Sequence, residues 1–341
     1  MTAAELKAKL KSPSIAGFYI LGGEEDYLKN YYSKEIKKLA VTDEIFETFN
    51  YQSFDGDDVD LASIREALYA PPMMSDYKLI EWRHANLDSL KESERDFLIE
   101  LSESREDYPY AVFVIVARAD GFETSEKKPS KLHTKLKNAY DIVIFDKSTD
   151  AQLIAWLKKH FDKEEIKVTP DILGAMLFRV GHSMEQLGEE VTKLACYLKA
   201  NGRDTLTAKD VEEITSSTVE CDAFAISNAI IEKNMEKAFL ALSDLKSQRV
   251  EPTAVLAMLS KTYAEMVSVS LLIDEGKGEA DIADITKIHS YRVKLYMRAA
   301  KRTGTKKLAD SLAKLVKVDG SAKMGGIAGW GAVEMFITQN I

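Results

Sequence analysis

A strand-like run at 18–21 leads into Gly22-Gly23-Glu24-Glu25-Asp26-Tyr27-Leu28-Lys29-Asn30, and this junction has the spacing of a loop built to hold a triphosphate. Such a loop reads G-x-x-x-x-G-K-[ST]. Its backbone N–H groups cradle the phosphates, the lysine meets the outer ones, and the hydroxyl holds Mg²⁺. Counted from Gly23, Lys29 falls in register, but Leu28 stands at the second glycine and Asn30 at the hydroxyl. Glu24, Glu25 and Asp26 crowd the turn; they repel a polyphosphate and neutralise the positive end of the following helix. Two readings fit: an NTPase-shaped module kept for its shape, or an ordinary strand-to-helix turn with acidic residues at the helix start.

The other residues capable of chemistry are dispersed. No H-E-x-x-H, G-x-S-x-G or G-x-G-x-x-G occurs. His84, His133, His160 and His289 have no carboxylate or cysteine cluster at metal-ligand spacing, and His182 beside Gly181 reads as a helix-cap residue. Cys196 and Cys221 form no C-x-x-C pair, so neither a disulfide framework nor a thiolate zinc site is expected, which fits a reducing interior. A magnesium-supporting strand at 77–82 should end in paired acids; it ends in Trp82-Arg83. Glu24, Glu25 and Asp26, adjacent on a turn, point apart and do not converge as an acid/base group. No catalytic residue, metal ligand or cofactor site is therefore expected.

The elements around this junction alternate. Strands are predicted at 18–21, 47–51, 77–82, 110–116 and 141–145, with helices at 27–40, 60–69 and 89–104 between them. The runs at 18–21, 110–116 and 141–145 suit strands buried on both faces of a parallel sheet. Leu61, Ile64 and Leu68 make one apolar stripe. Strand-helix alternation of this kind predicts an α/β sandwich.

After Asp146 the strand signals stop. Ser148 or Thr149 can cap a helix carrying Leu153, Ile154, Leu157 and Phe161 on one face. Thr169-Pro170 opens the next, and Gly181 ends it. Ser183-Met184-Glu185-Gln186 has the form of a capping box before a helix burying Met184, Leu187, Val191, Leu194 and Leu198, and Thr207 opens a short fourth helix. From Asp222 onward the pattern is again helical, including an apolar helix from Pro252 to about Asp274. Its Lys261 and Glu265 mark it as buried rather than membrane-spanning. The predicted order is an α/β domain over 1–146, a small helical domain over 147–216 and a larger helical domain over 217–341.

The net charge of −9 argues against a wholly nucleic-acid-binding surface, but the charge is uneven. Residues 291–323 carry ten Lys and Arg against Asp310 and Asp319, a local +8 that leaves −17 elsewhere. That segment fits a footprint for DNA or an acidic partner, and equally a solvated helix face. A second cluster, Lys127, Lys128, Lys131, Lys135 and Lys137, lacks interleaved aromatic residues and reads as a solvated surface. The N-terminus shows no apolar leader, so no secretory signal is expected.

Over essentially its whole length the chain resembles the delta subunit family of the bacterial DNA polymerase III clamp loader. The resemblance is carried by Tyr19-Ile20-Leu21-Gly22-Gly23-Glu24-Glu25-Asp26-Tyr27-Leu28, by Pro72-Met73-Met74-Ser75-Asp76-Tyr77-Lys78-Leu79-Ile80, and by the stretch from Gly181 to Leu194. Ala223-Phe224-Ala225-Ile226-Ser227-Asn228-Ala229-Ile230 and Glu251-Pro252-Thr253-Ala254-Val255-Leu256 follow in order. What the resemblance implies is an AAA+-like parallel-sheet domain with a degenerate P-loop, a small helical lid domain and a C-terminal helical collar domain. It implies a non-ATPase subunit that assembles with ATPase subunits of gamma/tau type and a delta-prime subunit, binds the ring-shaped sliding clamp (the beta subunit), and helps open it for loading onto primed DNA. The cysteine-rich zinc site and Ser-Arg-Cys motif typical of delta-prime are absent. A divergent AAA+ ATPase acting on DNA-bound complexes is the alternative, and an independent DNA-binding factor using 291–323 a third.

By its place in the motif, the family's clamp-binding pair falls on Met73 and Met74, with Pro72 before them; many members carry Leu-Phe there, so two methionines are a departure. Pro71-Pro72 ends the preceding helix and stiffens the approach, and thioether side chains suit an apolar pocket. The competing reading is that both methionines fill core between helix and strand.

Overall fold

The computed structural model of the chain describes residues 1–12, 14–122, 131–137 and 139–341, which divide into two compact units, Met1–Ser148 and Thr149–Ile341. The first runs α1 (Ala3–Lys9), β1 (Gly17–Gly22), α2 (Asp26–Ala40), α3 (Glu47–Asn50), β2 (Tyr51–Asp55), α4 (Leu61–Tyr69), β3 (Lys78–Ala85), α5 (Glu92–Glu103), β4 (Ala111–Ala117), α6 (Lys131–Leu136) and β5 (Asp141–Ile144). Among the described residues the strands form one sheet in the order β2-β3-β4-β1-β5, with every pairing parallel.

Every residue of β4 is buried, which is why this stretch is an unbroken apolar run: both faces of the central sheet are covered. Side-chain alternation then sorts two cores. Phe18 and Ile20 pack with Ile80, Trp82, Phe113, Ile115 and the stripe Ile64–Leu68 of α4 on one face. Tyr19 and Leu21 pack with Leu79, Val112, Val114 and Ile36 of α2 on the other. One strand is displaced from its expected place. Residues 47–50 form the helical turn α3, and the strand starts at Tyr51. The local sequence suits extended backbone, but β2 is an edge strand whose position is set by β3 alone. The turn also delivers the Asn50 side chain to residue 73.

The second unit is helical: α7 (Asp150–Lys163), α8 (Pro170–Val180), α9 (Met184–Ala200), α10 (Ala208–Ile214), α11 (Val219–Ile231), α12 (Met235–Ser247), α13 (Pro252–Asp274), α14 (Glu279–Thr286), α15 (Ser290–Thr303), α16 (Thr305–Lys323) and α17 (Trp330–Asn340). Thr149 and Gln152 cap α7 reciprocally, and Gly181 ends α8 at φ 92°, a conformation suited to glycine. Ser183 caps α9 by accepting from the Gln186 N–H at 3.4 Å, one half of the expected capping box. Among the described residues α13 alone is long and apolar enough to cross a membrane, and Val255, Leu259, Tyr263, Met266 and Val269 along it are buried in the unit's core. The expected boundary between 216 and 217 falls inside this unit. There Phe178 of α8 meets Phe224 of α11, and a Cβ on Gly174 of α8 would lie 3.1 Å from the Tyr291 side chain of α15.

Candidate functional site

The turn from β1 to α2 occupies only Gly23, Glu24 and Glu25, because α2 has already begun at Asp26. A phosphate cradle needs open loop where this chain has a first helical turn, closed by the Lys29 N–H on the Glu25 carbonyl at 3.2 Å. The chain leaving β5 presses on the same turn. Gly23 sits at φ 98°, and a Cβ there would collide with the Phe145 carbonyl, which itself accepts from the Glu25 N–H at 2.9 Å. Burial pushes the Glu25 carboxyl up, and Glu24 pairs with Lys147 at 3.1 Å.

Lys29 is in register but faces inward. It is 1 % exposed, and its ammonium donates to the Gly23 and Ala117 carbonyls at 2.8 Å each and pairs with Asp26 at 2.8 Å. All three donors of the side chain have partners within the protein. The lysine that would meet a phosphate instead ties α2 to β4.

The magnesium side is equally occupied. At the end of β3, Arg83 Nη2 donates to Asn30 Oδ1 at 3.3 Å, so a cation and an amide stand where acids and a hydroxyl would hold the metal. Glu81, which sequence reading passed over, is buried within β3. Ser33 and Tyr51 donate to its two oxygens, Tyr51 at 2.6 Å. Burial and that carboxylate push the Tyr51 phenol up to about 12. Glu81 is thus engaged in packing α2 onto the sheet. Among the described residues no group of three or more His, Cys, Asp or Glu is placed to hold a metal ion.

Met73 and Met74 do not fill core. They are 46 % and 80 % exposed, on the connection from α4 to β3, with Pro71 exposed and Pro72 half-buried before them. Asn50 fixes this connection: its Nδ2 donates to the Met73 carbonyl at 2.8 Å, and its Oδ1 accepts from the Met73 N–H at 2.7 Å. Met74 follows at φ 52°, in the left-handed region that unbranched residues enter at modest cost. Phe49, one residue before the bracketing Asn50, is also exposed, as is Ile45 in the preceding turn. No periodicity marked these last two; the signal was a Phe-Asn pair ending a short turn.

The basic segment is less unified than its composition. Arg292 is drawn in between Glu220 at 2.9 Å and Glu265 at 2.5 Å, Lys294 pairs with Asp171 at 3.1 Å, and Arg302 with Glu232 at 2.8 Å. Of the second cluster, Lys127, Lys128 and the Lys131 side chain lie outside the described residues; Lys135 and Lys137 are exposed. His182 is exposed and bonds Asp150 at 2.8 Å, while Gly181 does the capping.

Fold and turn together define a parallel α/β module, followed by a helical unit, whose first strand-to-helix turn is closed by its own helix and by the chain leaving β5. Family models described as "DNA polymerase III, delta subunit" and "DNA polymerase III delta subunit, C-terminal domain" match residues 19–145 and 220–340. The chain belongs to the DNA polymerase III delta subunit family. It is 23 % identical to DNA polymerase III subunit delta of Bacillus subtilis, over 97 % of this chain and 94 % of that protein. It is likewise 23 % identical to the probable delta subunit of Aquifex aeolicus, over 54 % of this chain and 52 % of the other. The solved structure of the Bacillus subtilis DNA clamp loader delta protein shares the fold at a TM-score of 0.57 and 22 % identity, covering 98 % of each chain.

Proposed function

We propose that this chain docks on a ring-shaped sliding clamp through Met73 and Met74, with Pro72 setting their approach, and so helps hold the ring open for loading onto primed DNA. The observation that carries the reading is the pair of exposed methionines on a connection held by two hydrogen bonds, one donated and one accepted by the side chain of buried Asn50. Exposed Phe49 widens the apolar surface. A docking element held in place before contact loses less conformational freedom on binding.

In this reading the chain acts in the cytoplasm without nucleotide turnover, beside ATPase subunits of gamma/tau type and a delta-prime subunit. Residues 1–146 form the clamp-facing module, 147–216 a lid and 217–341 a collar for assembly. The inward-facing Lys29 supports this division of labour, since the timing then comes from neighbours that bind ATP. Ring opening follows from differential affinity: the chain must bind the clamp edge as shaped in the open ring more tightly than in the closed one. Surface plasmon resonance of the full chain over an immobilised bacterial clamp tests the docking. No binding at micromolar concentration would end the proposal.

A further inference from the structure

Among the described residues of the first unit two lysines are buried, and they differ in what meets them. The ammonium of Lys29 is satisfied by two carbonyls and by Asp26. Lys78, the first residue of β3, is 6 % exposed, and its ammonium makes no hydrogen bond and no ion pair among the described residues. Only its backbone is engaged, the N–H donating to the Tyr110 carbonyl at 3.1 Å. Asp76, two residues earlier, is exposed and forms no ion pair with it.

An unpaired cation under cover is unfavourable, and burial is the one cause that pushes this ammonium's pKa down. A lysine with a buried stem normally escapes that cost by carrying its charged head out into water. Lys78 does so only in part. The stem is covered, while the nitrogen keeps a small opening to solvent. A side chain in that position can receive an anion that approaches through the opening.

By position the lysine belongs to the connection that carries the methionines. Side-chain alternation puts Lys78 on the face of β3 that holds Ile80 and Trp82, the face covered by α4. The chain leaving α4 steps down from that layer onto the sheet at the start of β3, with Met73 and Met74 on the way. The edge strand supplies a second bearing. Tyr51 pairs with Leu79, so Asn50 and Lys78 are neighbours at the starts of adjacent strands. Asn50 is the residue that grips Met73. Lys78 thus lies beneath the segment that displays both thioethers, one strand spacing from the asparagine that holds it.

We propose that Lys78 is the charged half of the docking site: when Met73 and Met74 seat, its ammonium takes up a carboxylate of the clamp. This deepens the docking reading and rests on it. It gives the partner surface a definite chemistry, an apolar pocket for the thioethers with an acidic side chain or a chain-terminal carboxylate at its edge. The pair is a charge-assisted hydrogen bond formed where water has largely been cleared, and it selects against a neutral or basic surface.

The test is surface plasmon resonance of the full chain over an immobilised bacterial clamp at several salt concentrations, with Met73→Ala plus Met74→Ala as the gauge of docking itself. Lys78→Met should weaken binding by about tenfold or more and flatten its salt dependence, while Lys78→Arg should keep most of the affinity. Without clamp, the thermal midpoint of Lys78→Met should hold or rise, because an uncompensated interior charge has gone. A lysine with a purely structural role would lower it. Should the parent bind and the methionine double variant fail, yet Lys78→Met bind as tightly with the same salt dependence, this proposal falls and the docking reading stands. Weaker binding together with a lowered midpoint, and no rescue by Lys78→Arg, overturns it in favour of a supporting role. A parent chain that does not bind at all ends both.

Discussion

Asn50 and Met73 are joined by a reciprocal pair of hydrogen bonds, amide to carbonyl at 2.8 Å and backbone N–H to amide oxygen at 2.7 Å. Asn50 is itself buried, so the connection between α4 and β3 is anchored to the rest of the sheet domain by one side chain that mimics a strand neighbour. Asn50→Ala should leave the global fold intact but loosen the segment carrying the methionines. Clamp affinity is expected to fall roughly two- to tenfold, from the ordering cost then incurred on binding. Amide exchange at Met73 and Met74 should rise in parallel. Unchanged exchange with unchanged affinity would count against the bracket.

Replacing both methionines is the harsher test of the proposed docking. Burial of one methionine is worth about 1.5–3 kcal/mol, so Met73→Ala with Met74→Ala is expected to cost about 3–6 kcal/mol of clamp binding. That is on the order of a hundred- to ten-thousandfold in Kd. Because both side chains are exposed in the free chain, the melting temperature should hardly move. A folded double variant with wild-type affinity would place the contact elsewhere.

The buried lysine gives a prediction of the opposite kind. Lys29→Met removes the donor to the Gly23 and Ala117 carbonyls and should destabilise the chain by about 1–3 kcal/mol, measured by urea unfolding. Clamp affinity should be unaffected. ATP with magnesium is expected to give no binding heat with either the parent chain or the variant; micromolar affinity in the parent would restore the enzyme reading.

Gly23 should tolerate no side chain. Its positive φ and the Phe145 carbonyl against it both oppose a Cβ, so Gly23→Ala is expected to cost about 1–3 kcal/mol in the same assay. Gly202, which also has positive φ but open space around it, supplies the control for the backbone effect alone.

Asp210 sets an acid limit on the second unit. Arg203 reaches both of its oxygens at 2.7 Å and the Thr207 N–H adds a third bond at 2.9 Å, with the guanidinium bonds the leading cause that holds the carboxyl well below the usual range. A carboxyl lowered on folding contributes stability that is complete above its unfolded value of about 3.9 and is lost as pH falls toward its folded one. Asp210→Asn should therefore lower the unfolding midpoint at pH 7, with the gap to the parent narrowing below about pH 4. A gap that stays constant from pH 7 to pH 3 would rule out this ion pair as its source.

Much of the fold was legible because its signals are local. The apolar run of β4, the stripe of α4, Pro170 and Pro252 at helix starts and Gly181 at a helix end each follow from short-range periodicity or backbone chemistry. Residues 47–50 misled because their conformation answers to a partner at residue 73, distant in sequence. The same limit hid Glu81, whose partners come from α2 and β2. At the turn, sequence alone showed that the glycine and hydroxyl were replaced. It did not reveal that Lys29 points into the protein, since that depends on the Ala117 carbonyl of β4 lying within reach.

Carrying two solvent-facing thioethers at positions 73 and 74 makes this surface chemically perishable. Peroxide converts exposed methionine to the sulfoxide, adding a polar oxygen to an apolar side chain, and dedicated reductases reverse the change. If these side chains dock as proposed, an oxidative burst would detach this protein from its ring without unfolding it, and repair would restore the contact without new synthesis. A leucine-phenylalanine pair at the same two positions would carry no such sensitivity.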